Sequence, residues 1–182
     1  MPPPRDANMS LNQRCARIEL LVLDVDGVLT DGKIVYTDQG AEIKAFHVRD
    51  GSGLKLWTGL GKKVGIITGR RSVIVERRAH ELGVTAVIQG ADDKKAALVQ
   101  MIGPLGLTLD EVCAVGDDIV DVPLLRSCGL AAAVADACPE AKEDVHYVTQ
   151  TPGGRGAVRE VIELILGAQG SWQTIVARYR NE

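Results

Sequence analysis

The 182-residue sequence lacks the features that mark membrane-spanning and nucleic-acid-binding proteins. It contains no apolar run of about eighteen residues, so no segment is expected to cross a membrane. Its formal net charge of −3 gives no electrostatic reason to expect nucleic acid or an anionic membrane surface as a partner. A small anionic substrate would therefore need local positive charge and a metal ion where it binds.

Cysteine is also scarce, with four residues and no CxxC spacing among them. This argues against a disulfide framework or a zinc site and is typical of a protein of the reducing cytoplasm. Residues 1–12 are polar and proline-rich, and they lack the apolar core of a signal peptide. We predict a disordered segment over 1–12, a single core domain over 13–170 and a short helix in the tail, 171–182.

Short apolar runs alternate with amphipathic stretches through most of the chain. Five runs are predicted as buried strands: 19–25, 63–68, 85–89, 111–115 and 129–134. Five amphipathic stretches are predicted as helices: 52–60, 72–82, 93–102, 119–127 and 157–167. The alternation predicts an α/β fold with a doubly wound, mostly parallel sheet and helices on both faces. Such a sheet binds its ligand at the carboxyl ends of its strands.

One segment interrupts this alternation. Residues 33–36 and 43–48 alternate apolar and polar side chains on either side of a turn that contains Gly40. The pattern predicts a β-hairpin over 33–48, inserted directly after the first strand and therefore near the ligand-binding edge. An isolated hairpin is only marginally stable in water, so we expect it to pack against another subunit.

Two acids, Asp24 and Asp26, leave the end of the first predicted strand, and Gly27 follows in a tight turn. Placing two carboxylates at the edge of a core is costly unless a cation or a proton holds them. Alternation along the strand places both side chains on the same face. The alternative is an Asp-rich turn whose carboxylates only cap backbone amides.

Hydroxyl and cationic side chains follow the next two predicted strands. Thr68 and Gly69 precede Arg70 at the start of a helix, an arrangement that predicts a phosphate cradle. Lys94 or Lys95 begins the following helix and would offer an ammonium to phosphate. Taken singly, Thr68 could be a helix cap, and Arg70 and either lysine could be surface charges.

A second group of acids, Asp117, Asp118 and Asp121, follows the strand predicted at 111–115. These acids should lie at the same sheet edge as Asp24 and Asp26. Oxygen ligands beside a phosphate favour Mg²⁺, which takes few protein carboxylates and keeps several waters. The sequence therefore predicts a magnesium site there.

The order of these motifs, an acid pair, a hydroxyl, a lysine and a second acid pair, resembles that of the haloacid dehalogenase superfamily of phosphohydrolases. The resemblance implies an aspartyl-phosphate mechanism with Mg²⁺, and it implies roles for seven residues. These are Asp24 as nucleophile, Asp26 as general acid–base with a backbone carbonyl on the metal, Thr68 as phosphate-binding hydroxyl, Lys94 as the lysine that steadies the nucleophile and phosphoryl group, Asp117 as metal ligand, and Asp118 and Asp121 as supporting acids.

About forty residues separate Asp26 from Thr68, too few for a cap domain, so the chain resembles the capless subclass. The hairpin and the stretches 44–53, 68–71, 89–94 and 151–160 resemble the phosphatases of 3-deoxy-D-manno-octulosonate 8-phosphate. This resemblance covers about residues 19–170. It implies a cytoplasmic homotetramer, in which neighbouring subunits cover the site, acting in lipopolysaccharide precursor synthesis.

A sugar acid substrate carries a carboxylate as well as a phosphate, and Arg49, Arg70 and Arg155 could bind these groups. Phosphatases for nine-carbon keto-deoxy sugar acids share the same motifs and remain an alternative. A non-catalytic regulatory subunit is a further alternative. A signalling receiver domain also combines acids, a threonine and a lysine, but its phosphoacceptor follows a later strand.

Overall fold

Short and mostly apolar runs form the main sheet of this structure, a computed structural model that describes residues 9–181. In chain order the strands are β1 (Leu20–Leu23), β2 (Val35–Tyr36), β3 (Glu42–Ile43), β4 (Lys63–Thr68), β5 (Ala86–Gln89), β6 (Val112–Gly116), β7 (Leu130–Ala133) and β8 (Tyr147–Val148). Six strands pair in parallel, in the order β5-β4-β1-β6-β7-β8, while β2 and β3 form a separate antiparallel pair. The predicted α/β class with a mostly parallel sheet is confirmed, and β8 is an addition to the five predicted strands.

The helices that cover the sheet are α1 (Leu11–Ala16), α2 (Val48–Gly59), α3 (Val73–Leu82), α4 (Lys94–Ile102), α5 (Val122–Leu125), α6 (Pro139–Glu143), α7 (Ala157–Ala168) and α8 (Ser171–Asn181). Helices α1 and α2 pack against α7, and α4 packs against α5. Strands β1, β6 and β7 are buried along their whole length, as expected when helices cover both faces of a parallel sheet. No helix within residues 9–181 is both long and apolar enough to cross a bilayer.

The path of the chain through the sheet places a ligand-binding crevice beside β1. From β1 the chain runs outward to β4 and β5, and it then returns to β6 on the other side of β1. With right-handed crossovers, this reversal puts the connecting helices on opposite faces and opens a crevice at the carboxyl ends of β1 and β6. Residues 24–30 and 117–121 follow these two strands.

Several predicted boundaries differ from the structure. Helix α1 begins at Leu11 within the segment 1–12 that was predicted to be disordered; residues 1–8 lie outside the described residues. Ser10 caps this helix in a capping box with Gln13. The second hairpin arm, predicted over 43–48, is shorter because His47 caps α2 and Val48 already begins that helix. The helix predicted over 119–127 is a 3₁₀ turn, Ile119–Asp121, followed by the single turn of α5.

Helix α7 obtains its N-terminal cap from another helix. Its own N-cap residue is Gly156, which has no side chain to accept a hydrogen bond. Asp50 of α2 is 2% exposed, and its two oxygens accept from the backbone N–H groups of Gly156 at 3.1 Å and Arg159 at 2.8 Å. The buried carboxylate therefore satisfies amides that would otherwise lack a partner and joins α2 to α7.

We expect the Asp50→Ala substitution to lower the free energy of unfolding by about 2 kcal/mol, because it leaves buried amides of α7 without an acceptor. Urea unfolding followed by circular dichroism measures this change. Asp38→Ala, at an exposed position of the hairpin turn, is the matched control and should change stability by less than about 0.5 kcal/mol. Equal effects of the two substitutions would contradict the role of Asp50.

Candidate active site

Asp24 and Lys94 form an ion pair at the carboxyl end of β1. The backbone N–H of Asp24 donates to the carbonyl of Val115 in β6 at 3.2 Å, which fixes the start of the turn. Asp24 is 6% exposed, and its Oδ2 lies 3.0 Å from Nζ of Lys94, the first residue of α4. Burial raises the pKa of Asp24 to about 6 from an ordinary value of 3.8, against the lowering effect of Lys94. Of the two candidate lysines, Lys94 is buried and Lys95 is exposed.

Asp121 is fully buried and holds both Lys94 and the loop after β6. Its Oδ1 accepts from Lys94 Nζ at 2.5 Å, and its Oδ2 accepts from the backbone N–H groups of Asp117 at 3.0 Å and Asp118 at 3.3 Å. Burial alone would lower the pKa of Lys94, but Asp24 and Asp121 outweigh burial and raise it. Lys94 is therefore a fixed cation between two carboxylates.

Asp117, the first residue after β6, approaches the turn after β1 closely. Burial, and then the charges of Asp24 and Asp121, raise the pKa of Asp117 to about 7. A Cβ atom at Gly27 would lie 2.0 Å from Asp117 Oδ2, and Gly27 also has a φ of +98°. Any side chain at position 27 would clash with Asp117, and the positive φ also favours glycine. Together these two constraints explain why a glycine follows Asp24 and Asp26.

The arrangement of acids fits a divalent cation. Ligand atoms of Asp24, Asp117 and Asp121 all lie within 4.8 Å of one another. Oδ1 of Asp24 and Oδ1 of Asp117 are buried and find no hydrogen-bond donor within residues 9–181, whereas both oxygens of Asp121 already accept hydrogen bonds. Asp24 and Asp117 are therefore the better ligands of the three, and an oxygen-only set suits Mg²⁺.

The side chain of Asp26 has different partners from that of Asp24. Its Oδ1 pairs with Nζ of Lys44 and accepts from Thr30 Oγ1 at 3.5 Å, and its Oδ2 lies 3.5 Å from Arg70 Nε. The carboxyl group of Asp26 is thus outside the acid cluster and points towards cations from the hairpin and from the β4–α3 turn.

Glu42 of β3 joins the hairpin to the start of α3. It accepts from Ser72 Oγ at 2.6 Å and from Arg70 at 2.9 Å, and it lies 3.4 Å from Lys44 Nζ. The Ser72 hydroxyl first, and then these two cations, hold the pKa of Glu42 below its ordinary value. Arg70 also donates to the hydroxyl of Tyr36 in β2, so both hairpin strands are tied to the site.

Thr68 and Gly69 lie at the same sheet edge. Thr68 is the buried last residue of β4, and its carbonyl accepts from the backbone N–H of Ala91 at 3.1 Å, just before α4. Gly69 is exposed, and Arg70 after it has a side chain that is 42% exposed. Thr68 is therefore fixed beside the segment that leads to Lys94.

The remaining predicted site residues are exposed. Arg49 lies in the first turn of α2, and Asp118 accepts from the backbone N–H of Ile119 at 2.7 Å. Arg155 lies in loop 151–156, which packs against the turn after β1: Gly154 N–H donates to Val28 O at 2.9 Å. No ion pair within the described part of the chain joins Arg49 or Arg155 to the site acids, and both residues are exposed.

Sequence reasoning missed Lys44 and Glu42 as parts of the site. Both lie in the hairpin's second arm at alternate positions, which places opposite charges on one face of an extended segment. This charge pattern, in the hairpin that follows the strand of Asp24, could have identified both residues from the sequence.

Comparison with known proteins agrees with this geometry. The family model of haloacid dehalogenase-like hydrolases matches residues 85–162. The chain is 48% identical over 157 residues to the 3-deoxy-D-manno-octulosonate 8-phosphate phosphatase KdsC of Yersinia pestis, which covers 86% of this chain and 84% of the relative.

Solved structures are similarly close. The 3-deoxy-D-manno-octulosonate 8-phosphate phosphatase of Moraxella catarrhalis, in complex with a magnesium ion, a phosphate ion and a KDO molecule, superposes with a TM-score of 0.90 at 43% identity, covering 92% of this chain and 97% of that one. A cobalt-bound form of the Haemophilus influenzae phosphatase gives 0.85 at 41% identity, covering 88% and 94%. The chain therefore belongs to the 3-deoxy-D-manno-octulosonate 8-phosphate phosphatase family of haloacid dehalogenase-like hydrolases.

Proposed function

We propose that this chain is a magnesium-dependent phosphatase that hydrolyses 3-deoxy-D-manno-octulosonate 8-phosphate to the free sugar acid and phosphate, a step of lipopolysaccharide precursor synthesis. The observation that carries the proposal is a pair of buried carboxylate oxygens, on Asp24 and Asp117, for which the described residues supply no donor, beside the fixed ammonium of Lys94. The substrate class is supported by the high sequence identity between this chain and phosphatases of 3-deoxy-D-manno-octulosonate 8-phosphate.

Mg²⁺ would be held by carboxylates of Asp24 and Asp117 and by the backbone carbonyl of Asp26. When bound, the ion would offset the negative charge that carboxylates and phosphate oxygens bring together. Asp121 supports this site by holding the backbone of residues 117 and 118, and Asp118 caps the turn that follows.

Asp24 is the nucleophile of the proposed reaction. Its carboxylate oxygen bonds to phosphorus as the ester bond to the sugar breaks, which gives an aspartyl phosphate. Lys94, already 3.0 Å from Asp24 Oδ2, reduces the repulsion between the carboxylate and the incoming phosphate dianion. The Thr68 hydroxyl and the Gly69 backbone N–H bind the phosphate oxygens.

Asp26 is the general acid and base. It gives its proton to the leaving sugar oxygen in the first step and takes a proton from the attacking water in the second. Its carboxyl group lies outside the acid cluster, on the side of the hairpin, which suits contact with the leaving group, while its backbone carbonyl remains available to the metal. Arg49, Arg70 and Arg155 bind the carboxylate and hydroxyl groups of the sugar acid.

We also propose a cytoplasmic homotetramer in which neighbouring subunits cover the hairpin and the site. The hairpin supports this, because its apolar side chains are exposed: Ile34, Val35, Tyr36 and Ile43. Such a patch beside a binding site is typical of a protein–protein contact. The cysteines remain free thiols, three of them buried, as suits a reducing compartment.

The proposed function is tested by phosphate release from 3-deoxy-D-manno-octulosonate 8-phosphate, a nine-carbon keto-deoxy sugar acid 9-phosphate and simple sugar phosphates. We expect the highest kcat/KM for the eight-carbon substrate in the presence of Mg²⁺. The Asp24→Asn variant should lose roughly 10⁴-fold or more in kcat, because it lacks the nucleophile. Preference for the nine-carbon ester would favour that alternative, and activity in none of the assays would favour a regulatory subunit.

Adjacent lysines give a matched test of the phosphoryl-binding cation. We expect Lys94→Met to lower kcat by roughly 100-fold to 1,000-fold, because the buried ammonium beside Asp24 is lost. Lys95→Met removes the same charge from an exposed position and should leave kcat and KM near wild type. Steady-state phosphate release measures both variants, with thermal unfolding as a check on folding. Equal losses in the two variants would exclude a specific role for Lys94.

The raised pKa values of Asp24, about 6, and Asp117, about 7, predict a pH-dependent response to Mg²⁺. Because both pKa values lie above the ordinary 3.8, ionising these groups costs folding free energy, and metal-free protein loses stability as pH rises from about 4 to about 7. Mg²⁺ needs the ionised carboxylates, so its stabilising effect grows over the same range.

Thermal unfolding with and without saturating Mg²⁺ measures this response. We expect a small Mg²⁺-induced increase in Tm near pH 5 and a larger one near pH 8. In the Asp117→Asn variant the increase should be reduced at both pH values. An increase in the wild-type protein that does not depend on pH would contradict the assignment of these two ligands.

A further inference from the structure

Lys44 is a buried lysine that the proposed mechanism does not yet use. Its side chain is 1% exposed, although lysine is almost never fully buried unless it is paired. The ammonium pairs with Oδ1 of Asp26 and lies 3.4 Å from Oε1 of Glu42. Lys44 is thus dehydrated, and within residues 9–181 its charge is met by these two carboxylates.

Glu42 also helps to fix the position of Lys44. Glu42 is held by the Ser72 hydroxyl at 2.6 Å and by Arg70 at 2.9 Å, so the carboxylate next to Lys44 is anchored to the N-terminus of α3. Since β2 and β3 are only two residues long, the hairpin alone could not hold a side chain in place. The anchor lets Lys44 act as a fixed donor rather than a mobile surface cation.

Hairpin stability does not explain why the charge is buried. Removing an ammonium from water costs several kcal/mol, and a buried pair is often no more stabilising than apolar residues of similar volume. An apolar residue at position 44 would avoid this cost but would leave Asp26 and Glu42 without the ammonium. The charge is better explained by what it contacts, the carboxyl group that must exchange a proton with the substrate.

We propose that Lys44 is a positioning residue for Asp26, holding its carboxyl group in the orientation from which it protonates the leaving oxygen. This inference rests on the proposed function, since it assigns a task to the general acid of that reaction. Arg70, whose Nε lies 3.5 Å from Asp26 Oδ2 and whose side chain is half-exposed, is a weaker second contact.

The proton balance of the reaction leaves Lys44 unchanged. In the first step, an Asp24 oxygen bonds to phosphorus, the bond from phosphorus to the sugar oxygen breaks, and the Asp26 proton moves to that oxygen. In the second step, water attacks phosphorus, the bond to Asp24 breaks, and Asp26 takes a proton from the water. Lys44 keeps its protons in both steps and only orients Asp26.

A comparison of leaving groups tests this role. A sugar alkoxide needs a proton to leave, whereas p-nitrophenolate leaves without one, so only the first depends on the orientation of the acid. We expect Lys44→Met to lower the first-turnover rate of the sugar acid phosphate by about 10-fold to 100-fold. The first-turnover release of p-nitrophenol from p-nitrophenyl phosphate, measured by rapid quench, should change far less and also shows that the variant is folded.

Two further variants and one control complete the test. Lys44→Arg should recover part of the lost rate, and adding Lys44→Met to Asp26→Ala should cause no further loss, because the group to be positioned is absent. Lys33→Met removes an exposed lysine of the same hairpin, which pairs with Asp31 at 2.7 Å, and should leave both rates unchanged.

Equal losses with both leaving groups, or a further loss in the Asp26→Ala background, would show that Lys44 only supports the structure and would overturn the proposal. A wild-type protein that hydrolyses simple alkyl phosphates but no keto sugar acid phosphate would contradict the proposed substrate instead. In that case the same comparison is made with the alkyl phosphate, so the two proposals fail separately.

Discussion

An excess of buried negative charge at one sheet edge is the constraint on which the rest of the structure depends. Asp24, Asp117 and Asp121 lie within reach of one another, and Lys94 is the cation that pairs with two of them. Three carboxylates cannot all stay ionised beside one ammonium in a dehydrated site without a further cation or a proton. The raised pKa values of Asp24 and Asp117 reflect burial together with this excess of negative charge, which a bound metal ion would offset.

The fold maintains this unfavourable arrangement by fixing the backbone on every side. Strands β1 and β6 are buried and paired in register, so their carboxyl ends cannot separate. Asp121 holds the loop after β6 through two backbone N–H groups, and loop 151–156 packs against the turn after β1. Asp50 in turn anchors the helix that follows loop 151–156. The site is thus fixed by segments from the whole length of the chain.

Much of the fold follows from local signals in the sequence. Strand 63–68 was predicted with its observed bounds because a short apolar run rich in β-branched residues lies between Gly61 and Gly69. Strand β8 was missed because its two residues are too few for any periodic pattern. The start of α1 was missed although Ser10 and Gln13 have capping-box spacing, because the proline-rich residues before them dominated the interpretation.

The site was only partly predictable, for a physical reason. Asp24, Lys94 and Asp117 each come after a strand and Thr68 ends one, so topology brings them to one edge. The hairpin contacts do not follow from this rule. Burial of Lys44 depends on Asp26, eighteen residues away along the chain, and on the fold of the short segment between β3 and α2. A prediction from hydropathy alone would place the side chain of such a lysine in solvent.

The hairpin is attached to the site separately from the acid cluster. The acid cluster follows β1 and β6 and is paired with Lys94 of α4, whereas the hairpin reaches the site through a few charged contacts and presents its apolar side chains outward. Mutations in the exposed part of the hairpin can alter its outer surface while the charged contacts and the core keep the acids in place. Evolutionary change in the outer surface of the hairpin can therefore proceed independently of the geometry of the acid cluster.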